Sequence, residues 1–221
     1  MLLILFAALL IVIWYILDDM YIYGNTLDRK ILQYKPGVSV TDSPEQSPIL
    51  DDMAAWITIN DTAIDYPVMQ AKDNAYFLNT DPFGDYSLSG SIFLDCRNAR
   101  EFTDPYSIIY GHHMERGKMF GALDAFLDKT YLAQHRDGTL ILGKDAHAEY
   151  PLEVFASMQA NARDSIVFDP ESKEDIRAYI QSHAAVYLHN RDCRIAALST
   201  CSGVESAFRI IVFCYILETA S

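Results

Sequence analysis

Positive charge is scarce in this chain: 17 Lys and Arg face 30 Asp and Glu over 221 residues, a formal net charge of −13. A phosphate backbone needs a basic surface, so nucleic acid is excluded as a partner. Flat adhesion of the folded domain to anionic lipid is disfavoured for the same reason. Cysteine is sparse as well. Cys96, Cys193, Cys201 and Cys214 form no C-x-x-C pair, and no His/Cys cluster has zinc spacing. Four thiols in a chain of this size do not make a disulfide framework. Internal repeats, low-complexity tracts, a Gly-rich phosphate loop and a glycosidase-like carboxylate pair are all missing.

Long hydrophobic runs are limited to one. Residues 1–17 contain no charge and stop at Asp18-Asp19. As a helix this run reaches about 25 Å, near the lower limit for a bilayer. It has neither the basic start nor the small-residue cleavage site of a signal peptide. Trp14 and Tyr15 suit an interfacial position. Residues 1–19 are therefore expected to be a membrane anchor; the alternative is a buried core helix. Arg29, Lys30 and Lys35 follow the run and none precedes it, which by the positive-inside rule would leave the following domain in the cytoplasm.

What is present is apolar and strand-like: 51% of residues are hydrophobic and 12% aromatic, enough for one substantial core. Residues 20–33 read as a helix ended by Pro36-Gly37, and residues 38–48 as a linker, so that 20–48 form a stalk. A domain over 49–221 follows. Its strand candidates are 55–59, 64–70, 91–94, 107–110, 139–142, 152–158, 185–188, 194–200 and 209–217. Helical patterns cover 119–127 and 172–183. Many short strands with regular turns suggest a barrel or sandwich.

The chemistry gathers near the C-terminus. Leu198-Ser199-Thr200-Cys201 ends one strand candidate and Arg209 opens the next across a short polar loop. Paired as an antiparallel hairpin, thiol and guanidinium face each other at its open end. A neighbouring cation favours the thiolate and can hold a developing oxyanion. A thiol nucleophile also needs a proton-transfer partner. Of six histidines, His112 stands out, because it follows Ser107-Ile108-Ile109-Tyr110-Gly111 and sits at the mouth of a buried-type strand. His135, His147, His183 and His189 read as surface residues, and Cys214 as an inert core thiol. A Cys193–Cys201 bridge is not expected.

Ile108-Ile109-Tyr110-Gly111-His112-His113-Met114 with Met119-Phe120-Gly121 resembles the histidine motif of class B sortases. Leu198-Ser199-Thr200-Cys201 with Arg209 resembles their cysteine and arginine motif. Trp56-Ile57-Thr58-Ile59, Ile64-Asp65-Tyr66-Pro67-Val68, Asp73-Asn74-Ala75-Tyr76-Phe77-Leu78 and Gly90-Ser91-Ile92-Phe93-Leu94-Asp95 are similar to further class B patterns, in family order from about Leu50 onward. Two positions depart: Ala197 stands where the family often has Thr, and His113 where it often has Asn.

The resemblance implies a mainly β fold, an eight-stranded sortase-type barrel with an N-terminal helix and a helix between strands 6 and 7. It implies a single-pass enzyme of the Gram-positive cell membrane with its catalytic domain outside, against the charge reading. It also implies a cysteine transpeptidase that needs no cofactor or metal. Cys201 would attack the Thr–Gly bond of a C-terminal sorting signal on a surface protein. His112 would act as general acid and base, and Arg209 would orient substrate and hold the oxyanion. The acceptor would be an amine of a peptidoglycan cross-bridge or of a pilin lysine. A thiol protease using water is the other enzymatic reading, and a barrel that only binds sorting signals is the non-enzymatic one. Leu94, Tyr110 and Thr200 are candidate substrate-binding residues.

Overall fold

The computed structural model describes residues 6–15, 17, 29–37, 47–172, 175–201 and 207–218. Among the described residues nine strands succeed one another: β1 (Met53–Ile59), β2 (Asp65–Met69), β3 (Ile92–Leu94), β4 (Tyr106–His112), β5 (Asp137–Leu142), β6 (Ala148–Asn161), β7 (Val186–Tyr187), β8 (Arg194–Cys201) and β9 (Phe208–Ile216). Each coincides with one of the expected runs, and β6 is much longer than its run suggested. Eight strands close into a barrel in the order β5-β1-β2-β3-β4-β8-β9-β6, with β6 returning to β5. β2–β3 and β4–β8 are parallel, and the other pairs are antiparallel. The length of β6 allows a change of partner: one edge pairs with β5 up to Glu153 and with β7 at Ala156 and Ser157. A register shift between Val154 and Ala156 marks the bend.

Period-two alternation divides the apolar residues into three packed groups. Ile57 and Ile59 of β1, Leu94 of β3, Ile109 of β4, Leu198 of β8 and Val212 of β9 fill the barrel with Phe120, Leu123 and Phe126. On one outer face Ile108, Ile195, Phe213 and Tyr215 pack against Val167 and Ile180. On another, Trp56, Met69 and Phe93 are covered by Ile31, Ile49 and Phe77. Burial on both faces is why β8 reads as a nearly unbroken apolar run.

The expected helix between the sixth and seventh strands is present as Ile176–His183. The Asp175 side chain caps it, accepting from the Arg177 and Ala178 amides. Residues 173–174 of the expected span lie outside the described residues. The segment expected over 119–127 is a 3-10 helix, Phe120–Leu127, followed by an unforeseen α-helix, Lys129–Gln134.

Of the expected stalk, residues 20–28 and 38–46 lie outside the described residues. The remainder is a 3-10 turn, Arg29–Tyr34. It docks through buried Ile31, and Lys35 Nζ reaches Thr58 Oγ1 at 2.7 Å and Asp65 Oδ1 at 2.9 Å. Residues 6–15 are helical with exposed apolar side chains, including Phe6, Leu9 and Trp14. Among the described residues no helix is long and apolar enough to cross a membrane.

Candidate active site

Three strand ends meet at one rim of the barrel. β4 and β8 run parallel in a register that places Tyr106 beside Ile195 and His112 beside Cys201, so both C-terminal ends emerge together. β9 starts at that rim and runs back along β8, with Leu198 opposite Val212 and Ser199 opposite Ile211. The described pairing ends there, two residues short of Cys201 on β8 and of Arg209 on β9. The hairpin between the last two strands was legible in the sequence. The parallel β4–β8 contact that brings in His112 was not, because 81 residues separate His112 at the end of β4 from Arg194 at the start of β8. The Cys201 backbone ends β8, while its side chain and the loop 202–206 lie outside the described residues.

His112 is held by a close approach and a hydrogen bond. A Cβ on Gly111 would meet Ile92 Cδ1 at 2.3 Å and Phe120 at 2.8 Å, so only glycine lets the 3-10 segment seat against β4 just before the histidine. His112 Nε2 lies 2.7 Å from the Leu78 carbonyl oxygen. A carbonyl only accepts, so Nε2 is the donor, and in the neutral ring Nδ1 is the basic nitrogen. His113 is turned outward and pairs with Asp124 Oδ2 at 2.8 Å.

His112 and Arg209 line the same cleft, of about 370 Å³. Leu78, Phe93 and Phe168 supply apolar walls, and Asn74, Asn79 and Tyr110 supply polar ones. Of the three expected substrate-binding residues, Tyr110 is in the cleft. Leu94 is only 1% exposed, inside the barrel, and by alternation its neighbour Phe93 lines the cleft. Thr200 is 4% exposed, and its Oγ1 accepts the Ile210 amide at 3.1 Å, which ties β8 to β9 rather than lining the cleft.

The part of the cleft lined by Asn74 and Tyr110 rests on a buried charge. Asp95 receives hydrogen bonds from Asn74, Tyr110 and Arg97. Burial pushes its carboxyl pKa up, but the hydrogen bonds and charge of Arg97, with help from Tyr110, outweigh burial and hold it below the ordinary value. The sequence reading passed over Asn74, Leu78, Phe93, Asp95 and Phe168 as site residues. An acid closing the apolar run Ile92-Phe93-Leu94 was the available signal.

Two of the other thiols, Cys193 and Cys214, are removed from this chemistry. Cys193 precedes the opposite end of β8, eight residues and about 26 Å of strand from Cys201, far beyond disulfide reach. Cys214 is fully buried, and burial pushes its thiol pKa well up. None of His135, His147, His183 and His189 lines the cleft.

No family model matches the chain. Sortase B of Listeria monocytogenes is 40% identical over 159 residues, which cover 68% of this chain and 63% of that protein. A solved Streptococcus pyogenes class B sortase involved in pilus biogenesis is 37% identical with a TM-score of 0.69, over 77% of this chain and 94% of that one. The chain belongs to the class B sortases. A Staphylococcus aureus sortase B–substrate complex superposes with a TM-score of 0.70 at 27% identity, covering 78% and 82% of the two chains. Class B sortases are cysteine transpeptidases, and the closed eight-stranded barrel is their fold.

Proposed function

We propose that this sortase cleaves the Thr–Gly bond of a C-terminal sorting signal and passes the acyl group to an amine. The Cys201 thiolate adds to the threonine carbonyl, forming a C–S bond and an oxyanion that Arg209 stabilises. His112, as imidazolium, protonates the departing glycine nitrogen as the C–N bond breaks. The neutral imidazole then takes a proton from the incoming amine, which attacks the thioester and releases the thiolate. The observation that carries this reading is the register that brings the ends of β4, β8 and β9 together, with His112 and Arg209 on one cleft.

The substrates are sorting-signal-bearing surface proteins, and the acceptor is a peptidoglycan cross-bridge amine. A pilin lysine is the second reading, favoured by the pilus role of the Streptococcus pyogenes relative. Residues 1–19 are the membrane anchor and 20–48 the stalk that holds the catalytic domain, 49–221, outside the cell. The exposed apolar side chains of residues 6–15 support that assignment. The test is to trap a thioacyl adduct on Cys201 with a panel of sorting-signal peptides, then add triglycine or a pilin-type lysine peptide. An amide product that needs Cys201 and an acceptor amine is expected. Hydrolysis unchanged by amine would make the enzyme a protease, and activity surviving Cys201→Ala would end the thiol mechanism.

A further inference from the structure

The reaction above leaves the ion pair between Asp95 and Arg97 unused. Asp95 is completely buried at the end of β3. Its Oδ2 accepts from Asn74 Nδ2 at 3.0 Å, Tyr110 Oη at 3.1 Å and Arg97 Nη2 at 2.8 Å. Its Oδ1 accepts from the Arg97 amide at 3.0 Å and Arg97 Nε at 2.9 Å. Asn74 and Tyr110 line one part of the cleft, here called its floor. The Arg97 guanidinium also reaches the other way: Nη2 donates to the Phe168 carbonyl at 3.0 Å and Nη1 to Asp169 Oδ1 at 3.0 Å. Phe168 is a cleft wall contributed by the segment between β6 and β7.

We infer that Arg97, seated on Asp95, is a positioning residue that fixes the Phe168 wall relative to the Asn74–Tyr110 floor and so sets the width of the substrate cleft. The inference rests on the cleft being the peptide site proposed above. A planar fork suits the task, because one edge grips a carboxylate while the tips reach a carbonyl, a division that a lysine ammonium cannot reproduce. The two attachments to the loop differ in weight. The side chains of Arg97 and Asp169 are 38% and 40% exposed, so their ion pair is screened and contributes little. The Phe168 carbonyl and the buried Asp95 carry the connection. Tyr106 Oη holds the neighbouring Val167 carbonyl at 2.8 Å, so the loop stays attached without Arg97 while its Phe168 end gains freedom.

The test uses the wild type, Arg97→Lys, Arg97→Ala and Asp169→Ala. It measures kcat and KM on a sorting-signal peptide and the rate of Cys201 alkylation by iodoacetamide. For both Arg97 variants KM is expected to rise roughly tenfold with kcat held within about twofold. Alkylation stays at the wild-type rate, and Asp169→Ala behaves as wild type. An unchanged KM in Arg97→Lys overturns the inference, as does a fall in kcat together with altered alkylation, the signature of general loosening. If Arg97→Ala does not fold, Arg97→Lys decides alone. A wild-type enzyme that cleaves no sorting-signal peptide overturns the reading of the cleft instead. The positioning role then stands or falls on hydrogen exchange at residues 164–169, expected faster in Arg97→Lys and overturned if unchanged.

Discussion

Gly90 sits directly against the Leu78 carbonyl. At φ 53, a Cβ on residue 90 would lie 2.4 Å from that oxygen and 2.5 Å from the Phe77 oxygen. The same Leu78 oxygen accepts a hydrogen bond from His112 Nε2 at 2.7 Å. A methyl group at position 90 therefore moves the acceptor that sets the histidine tautomer, at a distance from the reacting atoms. Gly90→Ala is expected to lower kcat by about tenfold or more and to shift the His112 ring-nitrogen signals in NMR. A folded variant with wild-type turnover and unmoved His112 signals would show that the carbonyl does not orient the ring.

The thiols are expected to separate cleanly. Cys214 is fully buried with its thiol pKa pushed up by burial, so iodoacetamide should leave it untouched in the native protein and reach it only after unfolding. Cys214→Ala should cost about 1–2 kcal/mol of stability and retain transpeptidation. Cys201→Ala should keep the fold and lose transpeptidation. Peptide mapping after native alkylation checks both, and rapid labelling of Cys214 would contradict its burial.

The barrel strands were legible because β-branched and aromatic runs ended at turn residues, as at Asn60-Asp61-Thr62 between β1 and β2. The β8–β9 hairpin, a local pairing, was legible too. Facing was not. Ile92-Phe93-Leu94 is apolar at every position, so only the packed structure shows that Leu94 enters the barrel while Phe93 meets the cleft. Likewise Asp95 and Arg97 lie two residues apart, and their role appears only when Phe168, 71 residues beyond Arg97, folds over them. The helix Lys129–Gln134 escaped notice because six residues are too few for a clear helical period.

Glu153 occupies the point where β6 leaves β5. It is buried and pairs with Arg136, with His189 Nε2 at 3.3 Å and with Arg191 Nε at 3.2 Å. Removing the carboxylate leaves Arg136, His189 and Arg191, themselves partly exposed, facing one another around a buried position. Glu153→Gln is expected to cost about 1–2 kcal/mol of unfolding free energy, less than breaking a fully buried pair because solvent screens the partly exposed partners. The KM for peptide should stay close to wild type, since the site does not line the cleft. Denaturant unfolding checks the first part, and a loss under about 0.5 kcal/mol would mean that the cluster is effectively solvated.

Asp95 should shape the acid limb of stability. Its folded-state pKa lies below the ordinary carboxylate value, because Arg97 and Tyr110 favour the charged form more strongly than burial disfavours it. A depressed carboxyl pKa contributes stability that is fully present above the unfolded value, about 3.9. That contribution disappears as pH falls through the folded value. The charged groups at this point are Arg97 itself and, beyond it, Asp169. Asp95→Asn should therefore be markedly less stable than wild type at pH 7, and the gap in Tm should narrow below about pH 4 as wild type loses the interaction the variant never had. Melting curves from pH 7 to pH 3 measure this directly. A constant gap across that range would place the titration of Asp95 outside it or show that the carboxylate is not what the variant loses.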